Sequence, residues 1–332
     1  MKIWIPVIRA GTGADVYAEI LAAGLARRGI QSGIQWFNHC FEVFPFLLGL
    51  VPAPPQTDIA IANSWYGYGF KRKGIKLVVT VYHCVHDESY APYRSLLQRF
   101  YHDTCVYMNE YCSLQFADKV VAISNYTAAS VRKIFRSIDP AVIYPGIDTA
   151  FFCPGHRSRN HEKFRLLFVG TASRRKGFDM LVPIMQRLGE GFSLAYADYA
   201  KPAMSVGMDN IQALGRLSKD ALLQAYRDCD ALLFPTRFEG FGYAACEAMA
   251  CGKPVITSDN SSLPELVKNN ETGLLCNTDD VAAFVQAVRL LADNRDLARR
   301  MGEAGRERVL GNFTLEQMTD NYIRLYEEVL SS

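Results

Sequence analysis

Phe234-Pro235-Thr236-Arg237-Phe238-Glu239-Gly240-Phe241-Gly242-Tyr243-Ala244-Ala245-Cys246-Glu247-Ala248-Met249-Ala250-Cys251-Gly252 is the stretch that decides how the chain is read. The run before it, Asp230-Ala231-Leu232-Leu233-Phe234, has the composition of a buried strand. Gly240 and Gly242 bracket a loop, and the Ala-rich segment after them is a helix ended by Gly252-Lys253-Pro254. In an open parallel sheet, a strand, loop and helix N-terminus receive polyanions, because the first N–H groups of the helix are unsatisfied and carry the positive end of its dipole. Glu239 falls in the loop, and Glu247 lies eight positions on, inside the helix. At helical rise that offset is roughly 12 Å, about the span from sugar to ribose in an extended nucleotide diphosphate sugar. Two carboxylates so spaced can hold the hydroxyls at both ends of such a ligand while loop N–H groups take the phosphates. The plainer alternative is a closely packed helix with two incidental acids.

At 332 residues the chain is too long for one ordinary core and suits two domains. With 49% hydrophobic and 21% charged residues it has an ordinary globular composition, and a net charge of +2 argues against a nucleic-acid surface. Residues 1–150 carry 14 Lys+Arg against 11 Asp+Glu, and the remainder 22 against 23, so the first part is only mildly basic. Nine scattered cysteines without a Cys-X2-Cys pair read as reduced thiols of a cytoplasmic protein. The opening Met1-Lys2-Ile3-Trp4-Ile5-Pro6 reads as a strand without a signal-peptide pattern. The longest apolar patch, residues 43–51, is interrupted by Pro45 and Gly49 and is expected in the core or at an interface rather than across a bilayer.

Outward from the decisive stretch, strands are expected at residues 2–8, 59–62, 76–82 and 119–123, with a helical stretch from about 93 to 115. Strands alternating with helices indicate a doubly wound parallel sheet. After the first strand, Gly11-Thr12-Gly13 opens a helix with Val16, Ile20, Leu21 and Leu25 on one face. Position 16 is not the third glycine of a dinucleotide fingerprint, which weakens an NAD reading. His83 and His86 follow the strand at 76–82 at the sheet edge where ligands bind. Their spacing suits a metal, but no partner Cys/His cluster appears elsewhere, and ordinary loop histidines remain the plainer reading. A second sheet restarts at residues 164–170, where Arg174-Arg175-Lys176-Gly177 sets cations between a strand end and a helix start. A solvated basic turn is the alternative there.

Taken together, Glu239-Gly-Phe-Gly, Glu247-Ala-Met-Ala-Cys-Gly-Lys-Pro and Pro264-Glu265 resemble the Glu-X7-Glu signature of the retaining glycosyltransferases of family 4. Ser124-Asn125 and Tyr144-Pro145-Gly146-Ile147-Asp148 resemble that family at the end of its first domain. The resemblance implies an α/β GT-B fold, two Rossmann-like parallel-sheet domains facing a central cleft. Residues 1–150 would bind the acceptor and 151–313 the nucleotide sugar, with 155–163 as linker and 314–332 as a C-terminal helix crossing back to the first domain. It further implies catalytic roles for Glu239, Lys176, Arg175 and His83, with Glu247 on the ribose. Donor contacts would come from Gly11, Gly13, Arg174, Arg216, Leu217, Gly240, Phe241 and Gly242, and acceptor contacts from Asp15 or His86. The family's first diphosphate arginine is replaced by Thr171, which leaves Arg174 or Arg175 to supply a guanidinium. No metal and no other cofactor is expected, because the one Asp-X-Asp, Asp228-Cys229-Asp230, precedes its strand.

The implied reaction moves a hexosyl unit from a UDP- or GDP-sugar to a glycan or lipid-linked acceptor. A nucleotide-sugar epimerase of the same fold and a non-catalytic sugar-nucleotide-binding module are the alternatives. Trp4, Trp36, Trp65 and the aromatic and basic residues 66–76 suit either a glycan or a lipid-linked acceptor at an anionic membrane surface, although core packing accounts for some of them equally well. A protein of the cytoplasm, peripheral to the inner face of the membrane, is the corresponding location.

Overall fold

The computed structural model describes residues 1–11, 13–155, 162–198 and 207–332. It divides into two compact units, one made of Met1–Gly146 with Leu315–Ser332 and the other of Ile147–Thr314. The chain therefore changes unit after Gly146 rather than at 150. Of the run 155–163 expected as linker, residues 156–161 lie outside the described residues, as does Thr12.

The first unit holds β1 (Lys2–Ile8), β2 (Gln31–Phe37), β3 (Ile59–Asn63), β4 (Lys76–Val81), β5 (Lys119–Ala122) and β6 (Ala141–Val142). They form one sheet in the order β2-β1-β3-β4-β5-β6, every pairing parallel. The central strands are unbroken Val, Ile and Ala runs because both faces are covered. β2 escapes a sequence reading: Gln31-Ser32-Gly33-Ile34-Gln35 is polar because it is the edge strand.

The helix Gly13–Arg27 turns Tyr17, Leu21, Gly24 and Leu25 inward, whereas Val16, expected on that face, is exposed. The helix Leu315–Ser331 sets this rotation. A Cβ on Gly24 would lie 2.1 Å from Thr319 Oγ1, and the Tyr17 and Tyr322 hydroxyls meet at 2.6 Å. Thr80 on β4 reaches the same Tyr322 hydroxyl at 3.2 Å. The helical stretch expected at 93–115 is broken into Leu96–Tyr101, a π turn His102–Val106 and Tyr107–Phe116.

The second unit holds β7 (Phe164–Val169), β8 (Phe192–Ala197), β9 (Ile211–Gly215), β10 (Ala231–Phe234), β11 (Val255–Ser258) and β12 (Gly273–Cys276). Their order is β12-β11-β10-β7-β8-β9, again entirely parallel. The sequence order reverses between β7 and β10, and the crevice beyond the carboxyl ends of strands at such a reversal is where open sheets bind ligands. The helices Val281–Asp293 and Arg295–Asn312 start at Asp280 and Asn294, whose side chains accept the Ala283 and Leu297 N–H groups. Among the described residues no helix is long and apolar enough to cross a membrane.

Candidate active site

Loops 171–177 and 235–242 leave neighbouring strands β7 and β10 at the reversal, and they touch. Gly177 makes the contact possible: its φ is +72°, and a Cβ there would sit 1.9 Å from the Pro235 carbonyl oxygen. The Arg175 carbonyl accepts the Arg237 N–H at 2.8 Å and the Thr236 hydroxyl at 3.3 Å, and Arg175 Nη1 donates to the Phe238 carbonyl at 2.9 Å. This lacing brings Lys176 Nζ to 2.5 Å from Glu239 Oε1, which also accepts the Thr236 hydroxyl at 2.8 Å.

Both members of the pair are largely buried. Burial pushes the Glu239 carboxyl up, but the charges of Lys176 and Arg175 and the hydrogen bonds outweigh it, so its pKa falls below the usual carboxylate value. Burial lowers the Lys176 ammonium, and Arg175 beside it adds to this, while Glu239 opposes both. The result is a carboxylate and two cations held at a sheet edge.

Further residues fix this arrangement. Ser261 Oγ accepts the Glu239 N–H at 3.0 Å, and Ser262 Oγ donates to the carbonyls of Glu239 and Phe241 at 3.1 and 3.0 Å. Arg237 is buried, donates to Asp179 at 2.6 and 2.9 Å and to Asp279 at 2.5 Å, and also bonds the Arg174 carbonyl. It bolts the two loops together. The Arg174 side chain is exposed, whereas Arg175 is half-buried against the Glu239 loop, so the geometry favours Arg175 as the guanidinium of the site.

Gly242, at φ +104°, precedes the helix Tyr243–Ala250. Only the second half of the offset between the two acids is therefore helical, so the 12 Å reckoned from helical rise does not apply to the whole of it. Phe241 is buried against Tyr243 and Phe313. Glu247 Oε2 accepts the Tyr226 hydroxyl at 2.8 Å. Burial pushes the Glu247 carboxyl up to about 7, against the opposing effects of Tyr226 and Lys219. Arg216 is exposed and Leu217 half-buried in the loop after β9, ahead of the helix capped by Ser218.

In the first unit the loop after β1 lies at that sheet's own reversal, between β1 and β3. Gly11 takes φ +67°, and Asp15 accepts the N–H groups of Ala10 at 3.2 Å and Gly11 at 2.8 Å. Asp15 thus ties the start of its helix back to the backbone that follows β1. His83 lies just beyond β4, with ring centroids of Trp65 and Tyr90 at 6.2 and 5.9 Å. His86, the other acceptor-side candidate, is corrected by the structure. Its side chain is only 7% exposed and faces the fully buried Glu110, with Nε2 3.3 Å from Oε2. Packing, rather than substrate, surrounds that ring. Among the described residues no group of three or more His, Cys, Asp or Glu side chains is placed to hold a metal ion.

Residues 155–308 match the family model described as Glycosyl transferases group 1, and residues 45–151 match that described as Glycosyltransferase Family 4. Lipopolysaccharide core biosynthesis mannosyltransferase LpsB of Rhizobium meliloti is 31% identical over 239 residues, covering 64% of this chain and 66% of that protein. The chain spans less than two thirds of the length of the curated relatives it matches. Sucrose-phosphate synthase from Thermosynechococcus elongatus superposes with a TM-score of 0.83 at 21% identity, each chain covered in full. Anabaena HepE, solved in complex with UDP-glucose, superposes with a TM-score of 0.77 at 15% identity, over 99% of this chain and all of that one. The two family models match residues in both units, so the chain belongs to the family 4 type of glycosyltransferases, and the fold it shares from end to end with the superposed structure is GT-B.

Proposed function

We propose that the chain transfers a hexosyl unit from a UDP- or GDP-sugar to a hydroxyl of a glycan or lipid-linked acceptor, with retention of anomeric configuration and without a metal ion. Synthesis of cell-surface polysaccharide or glycolipid, on the cytoplasmic side of a membrane, is the setting that fits. The observation carrying this reading is the Lys176–Glu239 pair, laced to Arg175 and Thr236 at the reversal point of the second sheet. Bound UDP and UDP-glucose in HepE support the class of donor, and the name of LpsB supports the setting.

In this mechanism the bond from the anomeric carbon to the diphosphate breaks, and the acceptor oxygen bonds to the same face of that carbon. The acceptor proton passes to the departing phosphate oxygen. Lys176 and Arg175 stabilise the negative charge that grows on the diphosphate, and N–H groups around Gly240 and Gly242 add to them. Glu239 holds the sugar hydroxyls, Glu247 holds the ribose, and His83 serves the acceptor or the transferred sugar. A thermal-shift panel of UDP, GDP, ADP and their sugars identifies the donor, and NMR of the product anomer tests retention. Conversion of the donor in the absence of any acceptor would instead indicate the epimerase.

Two outcomes test the details. Turnover is expected to survive EDTA, and a loss restored only by Mg²⁺ or Mn²⁺ would overturn the metal-free reading. Donor affinity is expected to rise as pH passes through about 7, because Glu247 accepts ribose hydroxyls best when ionised. The same raised pKa gives the sign for the free protein: this group's stabilising contribution is full below the ordinary value of 4.5 and is lost as pH rises through about 7. Glu247→Gln should flatten both trends and weaken donor binding by roughly tenfold, as loss of a charged hydrogen bond does. Titration of binding by calorimetry across that pH range checks it.

A further inference from the structure

The apolar segment 43–51 is not core. Its helical turn Pro45–Leu50 buries Pro45 and Leu48 but leaves Phe46 and Leu50 60% and 84% exposed, and the preceding Phe44 is 53% exposed. A second apolar projection is the helix Leu96–Tyr101, none of whose residues is buried. Leu96, Leu97 and Phe100 are 86%, 83% and 71% exposed. The two projections belong to one surface of the first unit, since the Tyr101 hydroxyl donates to the Glu42 carbonyl at 3.4 Å.

Single exposed apolar side chains are ordinary, but a group of them contributed by two joined segments marks an interaction surface. Polar groups fix the backbone of both projections. Ser95 and Gln98 form a capping box at the start of the helix. Arg72 Nη2 donates to the carbonyls of Leu48 and Val51, both at 2.7 Å, and closes the other turn.

Charge identifies the occupant. Both acids within residues 39–51 and 94–103 are already paired: Glu42 with His39 at 2.8 Å, and Asp103 with Arg94 at 2.7 Å and Arg99 at 3.6 Å. The cations reach outward: Arg99 is 64% exposed, and Lys73 is exposed in the turn that Arg72 anchors to the apolar segment. Protruding apolar tips beside outward cations, with the acids compensated, match the headgroup and acyl boundary of an anionic bilayer. A protein partner would instead call for a close-packed, flatter apolar centre.

We propose that these two projections are a membrane-docking surface, in which Leu50, Leu96, Leu97 and Phe100 enter the acyl boundary of an anionic lipid bilayer while Arg99 and Lys73 lie among the phosphates. The proposal goes beyond the glycosyl-transfer reading and does not depend on it. It also moves the apolar part of the membrane contact from the stretch 66–76, where Tyr66, Gly67 and Phe70 are buried and Lys73 is the contributing residue, to the segments beside it.

The test is co-sedimentation of the full chain with vesicles of phosphatidylglycerol mixed equally with phosphatidylcholine, and with vesicles of phosphatidylcholine alone. Binding is expected to the anionic vesicles at low salt and to weaken in high salt or on the neutral ones. The triple variant Leu96→Ser, Leu97→Ser, Phe100→Ser should lose at least about tenfold in vesicle affinity, with its Tm and its nucleotide-induced thermal shift unchanged. Leu50→Ser, on the other projection, should weaken vesicle binding in the same direction. Wild-type protein that stays in the supernatant, or a triple variant that sediments as well as wild type, would overturn the proposal. So would light scattering that shows a wild-type dimer and a monomeric triple variant without vesicle binding, since the face would then join copies of the chain.

Discussion

Lys176→Ala is expected to reduce kcat by about 100- to 1000-fold, the loss typical of one preorganised charge-stabilising donor. The effect should fall on kcat more than on donor KM, because the leaving diphosphate gains its charge in the transition state. Stability should respond too. Glu239 would remain buried without its main counter-charge, and removing one partner of a buried pair costs about 3 to 5 kcal/mol. Glu239→Gln added to Lys176→Ala should recover most of that stability and none of the turnover, which separates the chemical role of the pair from its structural one.

The pH dependence provides an independent check. In the wild type the Glu239 pKa is lowered, so the pair's contribution to stability is present above 4.5 and is lost as pH falls through the folded value. In Lys176→Ala, burial becomes the dominant influence on the carboxyl, and mild acid should stabilise the variant instead. Thermal melts of both proteins across the acid range show which sign holds. A wild-type sign in the variant would mean that Arg175 alone holds the carboxylate ionised.

Gly177→Ala should have the second large effect. The left-handed φ of +72° is disfavoured for alanine by about 1 to 2 kcal/mol. The larger cost is steric: the new Cβ meets a backbone carbonyl at 1.9 Å, so no side-chain rotation relieves it and the two loops must part. Lys176 is the neighbouring residue and would move with its loop away from Glu239. The expected result is a lower Tm together with a loss of turnover approaching that of Lys176→Ala. Gly273→Ala serves as the comparison, because Gly273 opens β12, the edge strand of the same sheet, and its Cβ would come 2.3 Å from the Val255 carbonyl of β11. It should lower Tm while its folded fraction keeps its kcat. Equal kcat in Gly177→Ala and wild type would show that the close approach of the loops does not position the pair.

Much of this was legible in the chain because parallel sheets write themselves locally. The Val, Ile and Leu runs of β3, β4, β7 and β10 are buried on both faces, and the glycines at 177 and 242 mark turns that need positive φ. What escaped depends on partners far along the chain. Arg237 was visible as a letter in the decisive stretch, but its acids, Asp179 and Asp279, lie 58 and 42 residues away. Tyr226 finds Glu247 across 21 residues. His83 and His86 are indistinguishable by spacing, and it takes Glu110, supplied by a helix, to draw one of them into the interior. Likewise, the face of the first helix is set by Thr319 and Tyr322, so hydrophobic periodicity alone turned Val16 the wrong way.

The way the chain is threaded also bears on how it folds. Residues 147–314 make up their unit as one continuous segment, whereas the unit of the β1 sheet is completed by the helix that begins at Leu315. During synthesis the portion made first is thus the last to be completed, since Tyr322 reaches Tyr17 only after the whole intervening unit has left the ribosome. Nascent chains stalled before residue 315 should carry a protease-resistant 147–314 fragment and an amino-terminal part that is still open to cleavage.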